Sequence, residues 1–346
     1  MRTVMVGNHA MKRLAAVGAV LGLAVAVLCM AGRGAAARDG GPDAGPGVVA
    51  SIAPIHSLAA MVMEGVATPR LLVPRGASPH GYALRPSDAQ ALAHARLVIW
   101  VGPALERFLE KPLSSLVERG EILALMKAPG LVLHPARRGG AWPGHSAPDA
   151  HASEQRNHGD HGDDHHGGAA QVDPHIWLDP MNGVAMVQAI AGALGRLDPA
   201  NARRYRDNAR RAGARLGSLD ATLAARLGPV RRTPYVVFHD AYQYFEARYG
   251  LQAVGSIVVA ADRRPGIRRI QEIRARLKET GAACVFAEPQ FSPRIAATVV
   301  EGSGARIGVL DPLGSALEPG SGLYVALLTR LADDLLGCLA GGIPHP

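Results

Sequence analysis

Short apolar runs alternate with helical patterns along the first half of the chain. Runs that are apolar throughout suit strands buried on both faces, while apolar residues at three- and four-residue spacing suit helices. The candidate strands here are Val48–Ala53, Leu71–Val73, Leu97–Val101 and Glu121–Met126, and the helices between them include Ser57–Gly65 and Ser87–His94.

The second half of the chain repeats this arrangement. Its candidate strands are Tyr235–Phe238, Ala253–Val258, Ala283–Ala287 and Ile307–Leu310, and its helices are Ala241–Tyr249, Ile267–Thr280 and Pro293–Gly302. Strands that alternate with helices form parallel sheets with both faces covered. We therefore predict an α/β fold of two lobes, each built on a parallel four-stranded sheet.

A different kind of segment separates the two halves. Asp198 is a favourable N-cap with Pro199 at the first helical position, and Gly228-Pro229 is the next interruption. Between them, apolar residues keep a three- and four-residue spacing from Tyr205 to Leu227. The pattern predicts one helix over residues 200–227, about 42 Å long at about 1.5 Å per residue, which is long enough to cross both lobes.

The first 37 residues have the composition of a secretory signal. A basic pair, Lys12-Arg13, precedes an apolar run from Leu14 to Met30 and the small residues Ala35-Ala36-Ala37. We expect cleavage near the end of residues 1–37, whether translation starts at Met1 or at Met11. A membrane anchor is the alternative, but the run is short and we expect no stable membrane insertion of the mature chain.

Loss of this segment changes the charge of the chain. It removes four of the 37 basic residues and none of the 29 acidic ones, so the formal net charge falls from +8 to +4. The remaining arginines crowd stretches such as Arg203-Arg204-Tyr205-Arg206, where a solvated helix surface is the ordinary interpretation. Aromatic residues make up only 4% of the chain, and these stretches carry no stacking motif. We therefore expect no nucleic-acid partner.

Two cysteines remain after Cys29 is removed with the signal. Cys284 and Cys338 form an even pair in an exported protein, and compartments outside the cytoplasm are oxidising. We predict a disulfide between them, with two buried free thiols as the alternative. A closed loop of this length contributes about 4 kcal/mol to stability in the chain-entropy model.

Seven of the fourteen histidines lie between His134 and His166, beside several carboxylates. Imidazole suits zinc, copper, nickel and iron, whereas magnesium and calcium prefer oxygen ligands. The tract is also rich in Gly, Ala, Pro and Asp and lacks apolar periodicity, so we expect a disordered loop over residues 134–170 that binds metal loosely. The candidate accessory ligands are His145, His151, His158, His161, His165 and His166.

Donors for a more specific metal site stand near the predicted strand ends, where ligands bind in open parallel sheets. His80 lies in the loop after one strand, and His175 ends the histidine-rich insertion. His239 and Asp311 directly follow two strands of the second half. Three neutral imidazoles and one carboxylate are a common zinc set, and so much nitrogen suits manganese less well. Each donor alone is a weak signal, but together they predict a zinc site.

Longer motifs surround these donors. They are Gly76-Ala77-Ser78-Pro79-His80 with Leu84-Arg85-Pro86-Ser87-Asp88, then His175-Ile176-Trp177-Leu178-Asp179-Pro180, Phe238-His239-Asp240-Ala241-Tyr242, Cys284-Val285-Phe286-Ala287-Glu288-Pro289-Gln290-Phe291 and Leu310-Asp311-Pro312-Leu313-Gly314. In this order they resemble the ZnuA-like periplasmic zinc-binding proteins, members of the zinc and manganese solute-binding family, over residues 47–340. The resemblance implies two α/β lobes joined by a long rigid backbone helix, with the metal in the cleft between the lobes.

The resemblance also implies roles for single residues. His80, His175 and His239 match the three histidine ligands of the family. Some zinc-binding members place a glutamate directly before the first histidine, where this chain has Pro79, which cannot coordinate. The fourth ligand is therefore expected to be either Asp311, which matches an aspartate ligand of other members, or a water molecule.

The implied function is capture of Zn²⁺ in the periplasm and its delivery to the inner-membrane permease of an ABC importer. Such a chain is expected to act as a monomer and to catalyse no reaction. Manganese-selective relatives tend to carry a carboxylate where this chain has His239, so zinc is favoured over a manganese- or iron-binding homologue. The cysteine pair, Cys284 and Cys338, matches a disulfide of similar zinc binders.

Two other classes of function stay open. A zinc buffer or chaperone would use the histidine-rich loop as its main site. A zinc hydrolase would need a base beside the metal, and the sequence has no His-Glu-x-x-His motif. The expected organisation is a signal over residues 1–37, a first lobe over 47–197, a linking helix over 198–228 and a second lobe over 229–340.

Overall fold

Two parallel four-stranded sheets form the framework of the computed structural model, which describes residues 47–137, 141–142, 171–258 and 265–341. The first sheet has the order β2-β1-β3-β4 and the second the order β6-β5-β7-β8. The strands are β1 (Val48–Ala50), β2 (Arg70–Leu71), β3 (Leu97–Trp100), β4 (Glu121–Ala124), β5 (Tyr235–Val237), β6 (Ala253–Ser256), β7 (Cys284–Ala287) and β8 (Arg306–Val309). The predicted α/β fold with two parallel sheets is confirmed.

Nine α-helices accompany the strands in the described part of the chain. They are α1 (Ala53–Val62), α2 (Pro86–Ala93), α3 (Glu110–Leu116), α4 (Pro180–Leu197), α5 (Ala202–Leu227), α6 (Gln243–Tyr249), α7 (Ile267–Thr280), α8 (Pro293–Val300) and α9 (Leu323–Leu339). Helices α3, α4 and α9 were not singled out in the sequence. None of the helices in the described ranges combines the length and apolar character that crossing a membrane requires.

The boundary between β1 and α1 differs from the predicted one. The strand ends at Ala50 instead of Ala53, and the helix begins at Ala53 instead of Ser57. Pro54 lies in the first turn of the helix, where its fixed φ suits the helix and its missing N–H costs no hydrogen bond. The proline therefore starts the helix within the apolar run that had suggested a longer strand.

Helix α5 is the predicted long helix. It begins at Ala202 after a 3₁₀ turn over Pro199–Asn201, and its 26 residues span about 39 Å. The side chain of Asp198 was expected to cap the helix, but it makes no capping hydrogen bond. Its carboxylate instead accepts hydrogen bonds from Asn201 and from the Tyr205 hydroxyl. The carboxylate therefore holds the turn and the first helical residues together.

The C-terminal helix α9 connects parts of the chain that are far apart in sequence. It contacts α1 and α5 as well as β8. The hydroxyl of Tyr324, on α9, donates a hydrogen bond to the Trp177 carbonyl at 2.6 Å. Gly183 on α4 permits this approach, because a Cβ there would lie 2.7 Å from the Tyr324 hydroxyl. Residues 323–339 thus pack in a core cluster that includes residues of both sheets, such as Ile99 and Phe286.

A disulfide joins Cys284, at the start of β7, to Cys338, near the end of α9. The predicted pairing is present, and the alternative of two free thiols is not. Both cysteines are buried. The bond therefore attaches the C-terminal helix to a central strand of the second sheet.

The start of the histidine-rich tract is ordered. The amide of Ala136 donates to the Gln171 carbonyl at 2.7 Å, and the amide of Asp173 donates to the His134 carbonyl at 2.9 Å. The expected loop limit at residue 134 therefore lies too early. The signal segment and the accessory histidines of the tract lie outside the described residues.

Candidate metal centre

Three histidines from separate parts of the chain meet at one point. His239 follows β5 by two residues, and His80 lies in the loop after β2. His175 directly precedes a buried 3₁₀ turn over Ile176–Leu178. That turn is fixed by Trp177, whose indole N–H donates to the Pro312 carbonyl at 2.8 Å. The predicted trio is thus brought together by strand ends and by one anchored turn.

The three Nε2 atoms face a common centre. His175 Nε2 lies 3.4 Å from His80 Nε2 and 3.4 Å from His239 Nε2, and the ligand atoms of all three lie within 4.8 Å of one another. Two nitrogens bound to zinc at about 2.0–2.1 Å and at the tetrahedral angle are about 3.3 Å apart. The two spacings of 3.4 Å that involve His175 therefore fit a tetrahedral zinc ion. The cavity beside the rings has a volume of about 10 Å³, enough for about one water-sized sphere.

Two buried carboxylates orient two of the rings. Asp173 Oδ1 lies 2.7 Å from His175 Nδ1, and Glu288 Oε1 lies 2.7 Å from His239 Nδ1. An ionised carboxylate only accepts hydrogen bonds, so each Nδ1 carries the proton and each Nε2 presents its lone pair to the centre. Glu288 directly follows β7, the neighbour of β5 in the sheet, which explains why it reaches His239.

The sequence motifs had given no role to Asp173. The missed residue carries a usable signal, since metal-bound histidines nearly always donate their second N–H to a carboxylate, carbonyl or water. Asp173 stands two residues before His175, and its Oδ1 also accepts the His175 backbone N–H at 3.0 Å. These two contacts hold the Asp173 carboxylate beside Nδ1 of the His175 ring.

The three imidazoles differ in proton affinity. Burial lowers the pKa of His80 and His175 well below the ordinary 6.5, and the neighbouring histidines lower both further. Burial also lowers the pKa of His239, but the charge and hydrogen bond of Glu288, together with the charges of Asp240 and Asp173, outweigh it, so that the pKa of His239 lies above 6.5. Burial raises the pKa of Asp173 to about 7. His239 is therefore the first of the three histidines to be protonated as the pH falls.

Asp311 does not join the histidines, although it was predicted as a possible fourth ligand. Its Oδ1 accepts hydrogen bonds from Gln290 Nε2 at 2.8 Å and from the Leu313 amide at 3.0 Å. Ser315 donates to Oδ2 through its backbone amide. A carboxylate with its acceptor sites occupied in this way stabilises a turn. The structure thus places Asp311 in the loop after β8 and outside the metal cluster.

Other histidines of the chain lie elsewhere. His56 is buried on α1 and its Nε2 contacts the Pro69 carbonyl at 2.9 Å, so it is not one of the clustered ligands. His134 packs its ring against Tyr244, with the ring centroids 4.8 Å apart. The accessory set His145, His151, His158, His161, His165 and His166 lies outside the described residues.

Comparison with known sequences places this site in a family. Residues 48–338 match the profile of the family described as "ZnuA: Zinc-uptake complex component A periplasmic". A protein of Brucella suis named high-affinity zinc uptake system protein ZnuA is 45% identical over 313 residues, covering 85% of this chain and 92% of its own length. The protein of that name from Yersinia pestis is 40% identical over 297 residues, covering 84% and 91%.

Solved structures share the fold. A crystal structure of ZnuA superposes with a TM-score of 0.69 at 22% identity, covering 84% of this chain and 98% of the other. The solute-binding protein FpvC from Pseudomonas aeruginosa in complex with Mn²⁺ also gives a TM-score of 0.69, at 23% identity, covering 85% and 98%. The family match over residues 48–338, together with these identities, confirms the resemblance seen in the motifs: the chain belongs to the ZnuA family of periplasmic zinc-uptake components.

Proposed function

We propose that this chain captures Zn²⁺ in the periplasm and delivers it to the permease of an ABC importer. Zinc is cargo in this role, bound and released without a chemical reaction. Relatives named high-affinity zinc uptake system proteins support the proposal. The main supporting observation is that three histidine Nε2 atoms lie close together, and that His175 Nε2 lies from each of the other two at the distance expected in a tetrahedral zinc site.

The arrangement of lone pairs explains why a cation belongs at this point. Three neutral imidazoles that direct their Nε2 lone pairs at one centre repel one another electrostatically. A divalent ion between them turns this repulsion into coordination, and it also favours the ionised form of Asp173 behind His175. The site is therefore more favourable with the ion than without it.

A water molecule is the proposed fourth ligand. Pro79 cannot coordinate, and Asp311 is engaged by Gln290 and by the backbone of its own turn. His80 is only partly buried, whereas His175 and His239 are buried. An open fourth position beside the more accessible ligand gives the ion a route for entry and release.

The finer organisation of the molecule is part of the same proposal. Residues 1–37 serve as the export signal, residues 47–197 and 229–340 are the two lobes, and residues 198–228 link them. The mature chain acts as a monomer. The histidine-rich insertion gathers zinc near the cleft through its accessory histidines, and His80, His175 and His239 hold the transported ion.

Two competing functions differ in what they require of the site. A protein in complex with Mn²⁺, FpvC, shares the fold, but manganese prefers oxygen ligands over three imidazoles. A hydrolase needs a free base beside the metal-bound water. Among the described residues, the two carboxylates behind the ligands are engaged with His175 and His239. The geometry therefore favours binding over catalysis.

A titration of metal-free protein with zinc and with manganese tests the function. Residues 143–170 can be replaced by a short Gly-Ser linker, which removes the accessory histidines and keeps Trp142 against Arg137. We expect the shortened chain to keep one tight zinc and to prefer zinc over manganese. Loss of the tight zinc from the shortened chain would assign the main site to the insertion and identify a metal buffer.

Substitution of Glu288 by glutamine is expected to weaken zinc binding about tenfold, within the range found when a carboxylate behind a metal-bound histidine is altered. Glutamine keeps the shape and an acceptor oxygen but removes the charge that makes His239 a stronger ligand. Competition with a zinc chelator measures the change. The matched control is Glu301→Gln, since Glu301 is exposed and pairs with Arg274. Equal affinities of Glu288→Gln and wild type would contradict this role.

Zinc affinity should fall as the pH is lowered from about 8 to about 5, because zinc needs neutral imidazoles and protons compete for them. The pKa of His239 lies above 6.5 and those of His80 and His175 lie well below it. Affinity is therefore lost first through His239 and through Asp173, whose pKa is about 7, with about one to two protons taken up per zinc released. Chelator competition across this range, with proton release followed by a pH indicator, checks the sign. A pH-independent affinity would be incompatible with the site.

A further inference from the structure

Arg137, at the start of the histidine-rich insertion, contacts the turn that carries a metal ligand. Its Nε donates to Asp240 Oδ2 at 3.1 Å, and Nη2 donates to Asp240 Oδ1. Its Nη1 donates to Glu246 Oε2 at 2.7 Å. Asp240 directly follows His239 in the chain, and Glu246 lies on α6. One guanidinium thus joins the first residues of the insertion to the segment after β5.

This contact is more than an exposed ion pair. The side chains of Arg137, Asp240 and Glu246 are 20%, 11% and 5% exposed. Arg137 donates two parallel hydrogen bonds to the Asp240 carboxylate, and this planar arrangement fixes the orientation of the carboxylate as well as its distance. The guanidinium also lies 3.6 Å from the centre of the Trp142 ring, which limits its other conformations. Such a pair is costly to break, because breaking it leaves buried charge unpaired.

The same short segment supports the partner of a second ligand. An antiparallel bridge pairs Pro135 with Val172, and the Asp173 amide donates to the His134 carbonyl at 2.9 Å. The Tyr244 hydroxyl on α6 donates to the Asp173 carbonyl at 2.8 Å. Residues 134–137 therefore hold Asp173, which in turn orients His175, while Arg137 holds the residue next to His239.

We propose that Arg137 is a positioning residue of the metal centre: it fixes the His239 turn relative to the segment that orients His175, and so sets the affinity for zinc. Arg137 touches neither the ion nor its ligands and acts through Asp240. The inference rests on the proposed function, since it concerns the same bound zinc. It gives the base of the insertion a role that does not depend on the accessory histidines.

Positioning and simple charge effects predict opposite results for Arg137→Gln. A positive charge near a cation site repels the ion, so its removal alone would strengthen zinc binding. Loss of positioning should instead weaken binding about tenfold, as with other groups behind metal ligands. Arg137→Lys separates the two further, because lysine keeps the charge and loses the paired donors. Positioning predicts that the lysine variant also binds zinc more weakly.

The experiment measures zinc affinity by chelator competition for wild type, Arg137→Gln, Arg137→Lys, Asp240→Asn and the double variant Arg137→Gln/Asp240→Asn. If Arg137 acts through Asp240, the double variant should lose less than the product of the two single losses. Arg274→Gln is the matched control, because Arg274 is also partly buried but bonds Thr298 and Glu301. Urea unfolding of each metal-free variant reports general stability.

Cobalt(II) bound in place of zinc supplies a readout that global stability does not move. At saturating cobalt, the visible absorption bands report the geometry of the ligands, and we expect them to shift or weaken in both Arg137 variants but not in Arg274→Gln. Zinc affinity of Arg137→Gln equal to or above that of wild type overturns the inference, as does an equal loss in Arg274→Gln. Absence of tight zinc binding by wild type would instead overturn the proposed function itself.

Discussion

Replacement of His175 by alanine is expected to lower zinc affinity about 100-fold, the largest effect of any single substitution in the site. Zinc bound by four protein ligands gains about 10–16 kcal/mol, so one ligand accounts for roughly 3 kcal/mol. His175 is the central member of the trio, since its Nε2 lies 3.4 Å from both other Nε2 atoms. Its loss also leaves Asp173 buried without its partner. Chelator competition with metal-free protein measures the change.

His94→Ala is the matched control for this substitution. His94 is exposed at the end of α2, where its Nδ1 contacts the Gln90 carbonyl, so its removal should leave zinc affinity unchanged. Metal-free His175→Ala should still unfold cooperatively but at a lower denaturant concentration than wild type, by about 1–3 kcal/mol, because the buried Asp173 loses the ring that it faces. Retention of wild-type affinity by His175→Ala would place the tight zinc elsewhere in the chain.

Reduction of the Cys284–Cys338 disulfide is expected to destabilise the fold by about 4 kcal/mol in the chain-entropy model. The bond joins two cysteines that are 54 positions apart in the sequence. It keeps Cys338 close to Cys284 in the unfolded chain as well as in the native one, which lowers the conformational entropy of the unfolded chain. Urea unfolding of wild type with and without a reductant measures the effect. Zinc affinity at low denaturant should change little, because Cys284 starts β7 and Glu288 follows its opposite end.

The double variant Cys284→Ser/Cys338→Ser separates the bond from the reductant. Its stability should equal that of reduced wild type, and addition of reductant should not change it further. Equal stability of oxidised and reduced wild type would show that the closed loop contributes nothing. A strong loss of zinc affinity in the serine variant would mean that the second sheet, and not only α9, depends on the bond.

Local patterns predicted the parts of this structure that local chemistry determines. Apolar runs gave the eight strands to within a few residues, and a three- and four-residue spacing gave α5. The three histidines could be named because each stands in a motif beside an element end. The helix that begins around Pro54 could not be placed in this way, since an apolar run does not reveal where a strand stops and a helix begins.

The remaining features depend on residues that meet only in the folded chain. Nothing near Arg137 in sequence indicates Asp240, which is 103 positions away. Asp311 matched a ligand position, but whether its oxygens are free depends on Gln290 and on the turn that follows. In the same way, the helical pattern of α9 does not state that the helix returns to α1. Contacts of this kind can be identified only in the folded structure.

The return of α9 has a consequence for how the chain can be divided. Because α9 is the last helix of the described chain and contacts the first, α1, cutting at the end of α5 does not yield two self-sufficient halves. The leading fragment lacks the helix that covers α1, and the trailing fragment carries α9 without that partner. Both would expose apolar surface such as Leu58 and Leu327, which are buried in the intact chain. Neither fragment is therefore expected to keep, on its own, the structure that it has in the intact chain.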